Sequence, residues 1–218
     1  MSKETIWYAL KEKGFSDVAT AAIMGNMEAE SNCVAYRIQG DFSAGYQKSI
    51  TYTSDVDRGA ITRNQFIYSG PGGGGYGLCQ WTYSTRKAGL YDMAKSRGVS
   101  IGDEKLQIDW LVEELNQPEF KSVLNTLLNT FNIRQCSDAF IKDFERPADQ
   151  SERACATRAQ MGQRFYDEFA GKVEPEPVPT PTPSPEPSPT PDIGRLSEVA
   201  IYLRAIADIC DEIVKSSM

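Results

Sequence analysis

Histidine does not occur anywhere in this chain of 218 residues. Its absence excludes Ser-His-Asp and Cys-His nucleophilic catalysis and makes a His-ligated zinc hydrolase untenable. Cysteine is scarce. Cys33, Cys79, Cys136, Cys155 and Cys210 are odd in number, scattered and free of C-x-x-C spacing. Buried free thiols are therefore expected in place of a disulfide framework or a zinc knuckle. No apolar run approaches the ~20 residues of a membrane helix, and the opening Met-Ser-Lys-Glu-Thr-Ile-Trp lacks the apolar core of a signal peptide. The chain is expected to be made in a cytoplasm, not to be exported by the signal-peptide route, and to have no membrane partner. Positive charge is also in deficit, with a net charge of −7. A nucleic-acid partner, which calls for a basic face, is not expected. What remains for acid–base work is chiefly carboxylate chemistry, which asks for no metal and no cofactor.

The acidic excess is uneven. From Glu174 onward eight Asp and Glu face three Lys and Arg, so this tail carries −5 of the −7. Residues 174–191 place nine prolines at every second position, which forbids helix and sheet and favours an extended polyproline II spacer. In residues 192–218, Leu196, Val199, Leu203, Ile206, Cys210 and Ile213 alternate spacings of three and four. This a/d pattern predicts a single amphipathic helix over 196–214. A lone helix of this length needs a partner surface, and self-association with more than two strands is the expectation from its a and d residues. Docking onto its own domain and a remnant of a larger binding module are the alternatives.

Residues 1–173 read as a mainly α domain. Helices are predicted over 6–13, stopped by Gly14, and after a cap at Ser16 or Asp17, running toward Glu30. Others follow over 85–96, with Gly98 in the C′ role, and over 105–115, 120–128, 133–144 and 151–169. The stretch 39–75, dominated by Tyr, Thr, Ser, Asp and Gly, reads as a long excursion with turns and no core helix.

Two features carry candidate chemistry. Met24-Gly-Asn-Met-Glu-Ala-Glu-Ser-Asn32 ends an apolar helix on two glutamates. Glu28 and Glu30 lie two apart on nearly opposite sides of that helix, so periodicity does not rank them. The glycine-rich strip Gly72-Gly-Gly-Gly-Tyr-Gly-Leu-Cys-Gln-Trp-Thr82 offers backbone that glycines let a ligand approach and, in Gln80, a side chain that both donates and accepts. Trp81 is open between stacking on a sugar and core; Tyr76 leans to the ligand side.

These motifs, with Arg86-Lys87, Ala94-Lys-Ser-Arg-Gly98, Gln107-Ile-Asp-Trp110, Phe144-Glu-Arg-Pro147, Arg158-Ala and Arg164-Phe-Tyr166, occur in one order. In that order they resemble the phage tail lysozyme family over nearly all of residues 3–170. The resemblance implies a lysozyme-like fold and hydrolysis of the β-1,4 glycan of peptidoglycan. It selects Glu30 as the general acid, with Ile23 and Met27 as apolar neighbours that hold its proton, and Tyr76, Gly77, Gln80 and Trp81 as the glycan-binding strip. It also implies synthesis in a host bacterium's cytoplasm and action on the wall as a muramidase. An N-acetylglucosaminidase, a lytic transglycosylase and a non-catalytic wall-glycan binding module stand as alternatives. A two-carboxylate glycosidase needs a second acid ~5 to 9.5 Å from the first. Asp41, Asp55 and Asp57 are the candidates in the excursion, and Asp57 is the choice.

Overall fold

The computed structural model describes residues 3–68 and 74–172. The Pro-rich linker at 174–191 and the predicted helix at 192–218 lie outside them. The described chain is mainly helical, as expected. Its α-helices are α1 (Lys3–Glu12), α2 (Asp17–Ser31), α3 (Gln47–Asp57), α4 (Arg63–Tyr68), α5 (Ser84–Arg97), α6 (Glu104–Leu115), α7 (Lys121–Asn129), α8 (Ile133–Ala139) and α9 (Glu152–Phe169). Short 3-10 turns precede α3 and α7, and α8 runs directly into a π-helical turn, Phe140–Glu145. In place of strands the described residues show two isolated bridges, Ile38 with Tyr76 and Tyr76 with Trp81.

The central element is α2, buried on every side from Ala19 to Met27. Its apolar residues surround the whole helix, which marks a core helix and not a surface one. Ser16 caps it by accepting from the Ala19 amide at 3.1 Å. Its closest neighbour is α9, running antiparallel: Asp17 accepts from the Gly171 amide at one end and Glu30 meets Arg158 at the other. Between these ends Gly25 and Gly162 let the two backbones touch. A Cβ at Gly25 would lie 2.4 Å from the Arg158 carbonyl oxygen and 2.5 Å from the Gly162 nitrogen. Backbone cannot yield as a side chain can, so glycine is required there.

The excursion at 39–75 differs from expectation, because α3 and α4 sit within it and both reach the core. Val56 and Phe66 are fully buried. Ser49, Thr53 and Val56 form the inward face of α3 at helical spacing, but two of the three are polar. Ser49 Oγ accepts from the Ile38 amide and donates to Asp41, and Thr53 pairs with the Tyr76 hydroxyl at 2.7 Å. The described cysteines, Cys33, Cys79, Cys136 and Cys155, are buried free thiols.

Candidate active site

Ser31 is the last residue of α2, and Asn32 and Cys33 come after it with positive φ of 59° and 56°. Their amides fold back onto the Glu28 and Met27 carbonyls, which stops the helix at once and leaves Glu30 in its last turn. Ser31 Oγ lies 3.0 Å from the Met27 oxygen and 2.9 Å from the Leu78 oxygen. It therefore fastens the helix end to the strip at 76–81.

That strip is held from below by Gln107, which is fully buried. Gln107 accepts from the Leu78 amide at 2.9 Å and donates to the carbonyls of Ala35 and Ile101. Gly77, with φ of +78°, is glycine for that reason: a Cβ there would lie 2.6 Å from Gln107 Oε1. Tyr76 and Trp81 pair backbone to backbone across the turn. Both rings are core, with Tyr76 1% and Trp81 0% exposed. The expectation that Tyr76 meets a ligand is thus corrected, and the choice left open for Trp81 falls to the core. Of the four strip residues, Gln80 reaches the cleft that Glu30 lines. Its Nε2 donates to the Arg37 and Gly77 carbonyls.

The two glutamates of α2 separate cleanly. Glu28 forms an ion pair with Lys3 at 2.8 Å. Glu30 lines a cleft of about 560 Å³, together with Arg37, Gln39, Phe42, Cys79, Gln80, Tyr83, Arg86, Glu145 and Arg146. This volume is in the range of sites that enclose a small ligand. Phe42 and Tyr83 are 89% and 67% exposed at its edge, flat apolar faces of the kind on which a sugar ring can lie. Ile23 and Met27 are buried in the core; the side chain bonded to Glu30 is Arg158, Nη2 to Oε1 at 2.5 Å. Asn26, bonded to Ser137, accepts from Arg158 Nη1 and steadies that guanidinium.

The carboxylates expected from the excursion are elsewhere. Asp57 lines a different cavity with Tyr36, Ile50 and Thr53. Its carboxylate is used by the Ser100 hydroxyl and the Ile101 amide. Asp41 is buried; burial opposes its charge, but the hydroxyls and amides of Ser43 and Ser49 outweigh it and hold the carboxyl well below the ordinary range. Asp55 pairs with Arg58. The structure brings none of the three to Glu30.

The acid it does bring is Glu145, the last residue of the π-helical turn. Glu145 Oε1 is buried without a hydrogen-bond partner. Burial first, and then the charge of Glu30, push this carboxyl well above the ordinary glutamate value, with Arg86, Arg158 and the Cys79 thiol pulling the other way. The Phe-Glu-Arg-Pro motif was the available signal for it.

Behind the cleft, Arg86 makes a bidentate pair with the buried Glu114, at 2.6 and 2.9 Å. Glu114 also accepts from the Trp81 indole at 2.6 Å, and Arg86 donates to the Phe144 carbonyl. This network joins the strip to the turn that carries Glu145. Among the described residues no group of three or more Cys, Asp or Glu stands together as a metal site.

The model of the phage tail lysozyme family matches residues 2–169. The chain belongs to that family. Its members are lysozyme-type hydrolases of peptidoglycan, and the helical fold around α2 agrees with such a domain. Comparison with curated proteins finds no match. In this phage tail lysozyme domain no helix of the described residues is long and apolar enough to cross a membrane.

Proposed function

We propose that the domain is an endolysin-type muramidase that cuts the β-1,4 glycan of peptidoglycan with Glu30 as the general acid. The observation that carries this reading is the meeting of Glu30 and Glu145 in one cleft edged by exposed Phe42 and Tyr83. Glycoside hydrolysis asks for a proton at the leaving oxygen and a group that governs the incoming water. Glu30 supplies the first, and Arg158 receives the carboxylate that remains after the proton has left. Gln39 and Gln80 offer amide partners for hydroxyl and acetamido groups along the strand.

The bond that is cut is tested by mass spectrometry of digested peptidoglycan with labelled reducing ends. Reducing muramic acid ends are the expected result. Reducing glucosamine ends would instead make the enzyme an N-acetylglucosaminidase, and anhydro ends a lytic transglycosylase.

The acidic tail is proposed as an oligomerisation hub of more than two subunits, formed through the 196–214 helix, with the Pro-rich spacer carrying each catalytic head. Several heads on one hub would gain wall affinity by avidity. Deleting residues 192–218 is expected to lower the mass seen by light scattering to that of a monomer; a monomer before deletion removes this proposal.

A further inference from the structure

Glu145 shares the cleft with Glu30 but has no step of its own in the proposed chemistry. Two carboxyls share the cleft, and they differ in support. Glu30 has Arg158 at 2.5 Å. Glu145 has an oxygen buried with no partner, and no described cation lies within ion-pair distance of it. Arg86, which lines the same cleft, is already committed to both oxygens of Glu114. Arg146 is next to Glu145 in the chain, but its Nε donates to the Asp143 carbonyl and its guanidinium lies over Phe120. The charged and titratable groups around Glu145 are thus Glu30 on α2, Arg158 on α9, Arg86 on α5 with Glu114 of α6 behind it, and the Cys79 thiol on the strip.

An unpaired buried carboxyl takes the neutral form, because removing its charge from water costs far more than holding a proton. The negative charge of Glu30, which lines the same cleft, adds to that preference.

Resting on the reading of Glu30 as the acid, we infer that Glu145 is the proton store of the cleft. It carries a proton at rest and passes it to Glu30, which delivers it to the glycosidic oxygen as the C–O bond breaks. The water that forms the new C–O bond releases its proton to solvent, and solvent refills the Glu145 carboxylate. One water is consumed, the leaving sugar gains one proton and the other sugar gains the hydroxyl. Both carboxyls end as they began.

The test is the pH profile of kcat and KM for Glu145→Gln on purified cell walls, beside Glu30→Gln. With the store removed, Glu145→Gln is expected to lose about tenfold or more in kcat near pH ~8 and about threefold or less near pH ~5, with KM unchanged. Glu145→Asp, which keeps a carboxyl, should retain the alkaline limb of the wild type at lower kcat, and it stands in if the Gln variant does not fold. An equal loss at every pH, or a wild-type profile, overturns the inference.

Thermal melts give a readout apart from activity. A carboxyl raised in the folded state adds stability that is full below its unfolded value and is lost as pH rises through the folded value. Wild type should therefore lose stability relative to Glu145→Gln as the pH is raised, and parallel melting curves would oppose a neutral Glu145. Should Glu30→Gln stay active, the parent reading falls. Should Glu30→Gln be inactive while Glu145→Gln behaves as wild type, the proton store alone falls.

Discussion

Glu30→Gln is expected to abolish clearing of a cell-wall suspension while leaving the protein able to pellet with walls. General acid catalysis contributes on the order of 10²–10⁴-fold, so a loss of about 10³-fold, or about 4 kcal/mol of transition-state stabilisation, is anticipated. The substitution is close to isosteric. Glutamine keeps the oxygen that accepts from Arg158 at 2.5 Å, so α9 remains docked on α2 at that point. What it lacks is a proton to give. The cost should therefore fall on kcat and not on KM, because binding through the aromatic edge and the strip is untouched. Retained pelleting separates loss of chemistry from loss of binding. If clearing is unchanged, Glu30 has no part in the reaction and the domain's proton comes from another group. If clearing by the wild type itself is undetectable while pelleting is strong, the binding-module reading takes its place.

The limits of local pattern explain which parts of this cleft were legible in the sequence. The helices of the catalytic domain carry their own boundary signals: Ser16 opens α2, and Gly98 closes α5 in the left-handed conformation. α3 escaped because its inward face is Ser49, Thr53 and Val56. Hydrophobic periodicity does not register a face that is buried through hydroxyl bonds. Asp57, the favoured second acid, terminates that same helix, and its oxygens are consumed by Ser100 and Ile101, more than forty residues along the chain.

The choice between Glu28 and Glu30 was likewise out of reach of local pattern, because the partners of their carboxylates are distant residues, Lys3 for one and Arg158 for the other. Only the family resemblance could supply that choice beforehand. Glu145 belongs to the Phe-Glu-Arg-Pro motif, yet its inward direction comes from the π-helical turn. Such a turn adds a residue to the helical repeat and rotates the residues at its end out of a 3.6-residue pattern. Tyr76 shows the converse error. A glycine setting suggested approach by a ligand, whereas the glycine beside it makes room for Gln107.

The largest effect on stability is expected at Glu114. Its side chain is 1% exposed and that of Arg86 is 14% exposed, so this pair is screened little by solvent. Glu114→Ala would strand the Arg86 guanidinium without its anion and the Trp81 indole N–H without its acceptor. Breaking a buried ion pair from one side costs about 3–5 kcal/mol, a large part of the ~5–15 kcal/mol that holds a domain of this kind. The measure is the urea midpoint, read with the slope unchanged so that it reports stability alone. Glu152→Ala is the control: it breaks the Arg134–Glu152 pair, whose glutamate side chain is 82% exposed, and should shift the midpoint little. Glu114→Gln should fall between the two, because an amide oxygen still accepts from Trp81 while the charge on Arg86 goes unanswered. Activity should fall with Glu114→Ala even below the unfolding transition, since Arg86 also holds the Phe144 carbonyl at 3.3 Å and so fixes the turn that presents Glu145. A midpoint for Glu114→Ala no lower than that of the Glu152 control would mean that the buried network does not hold the strip to the turn.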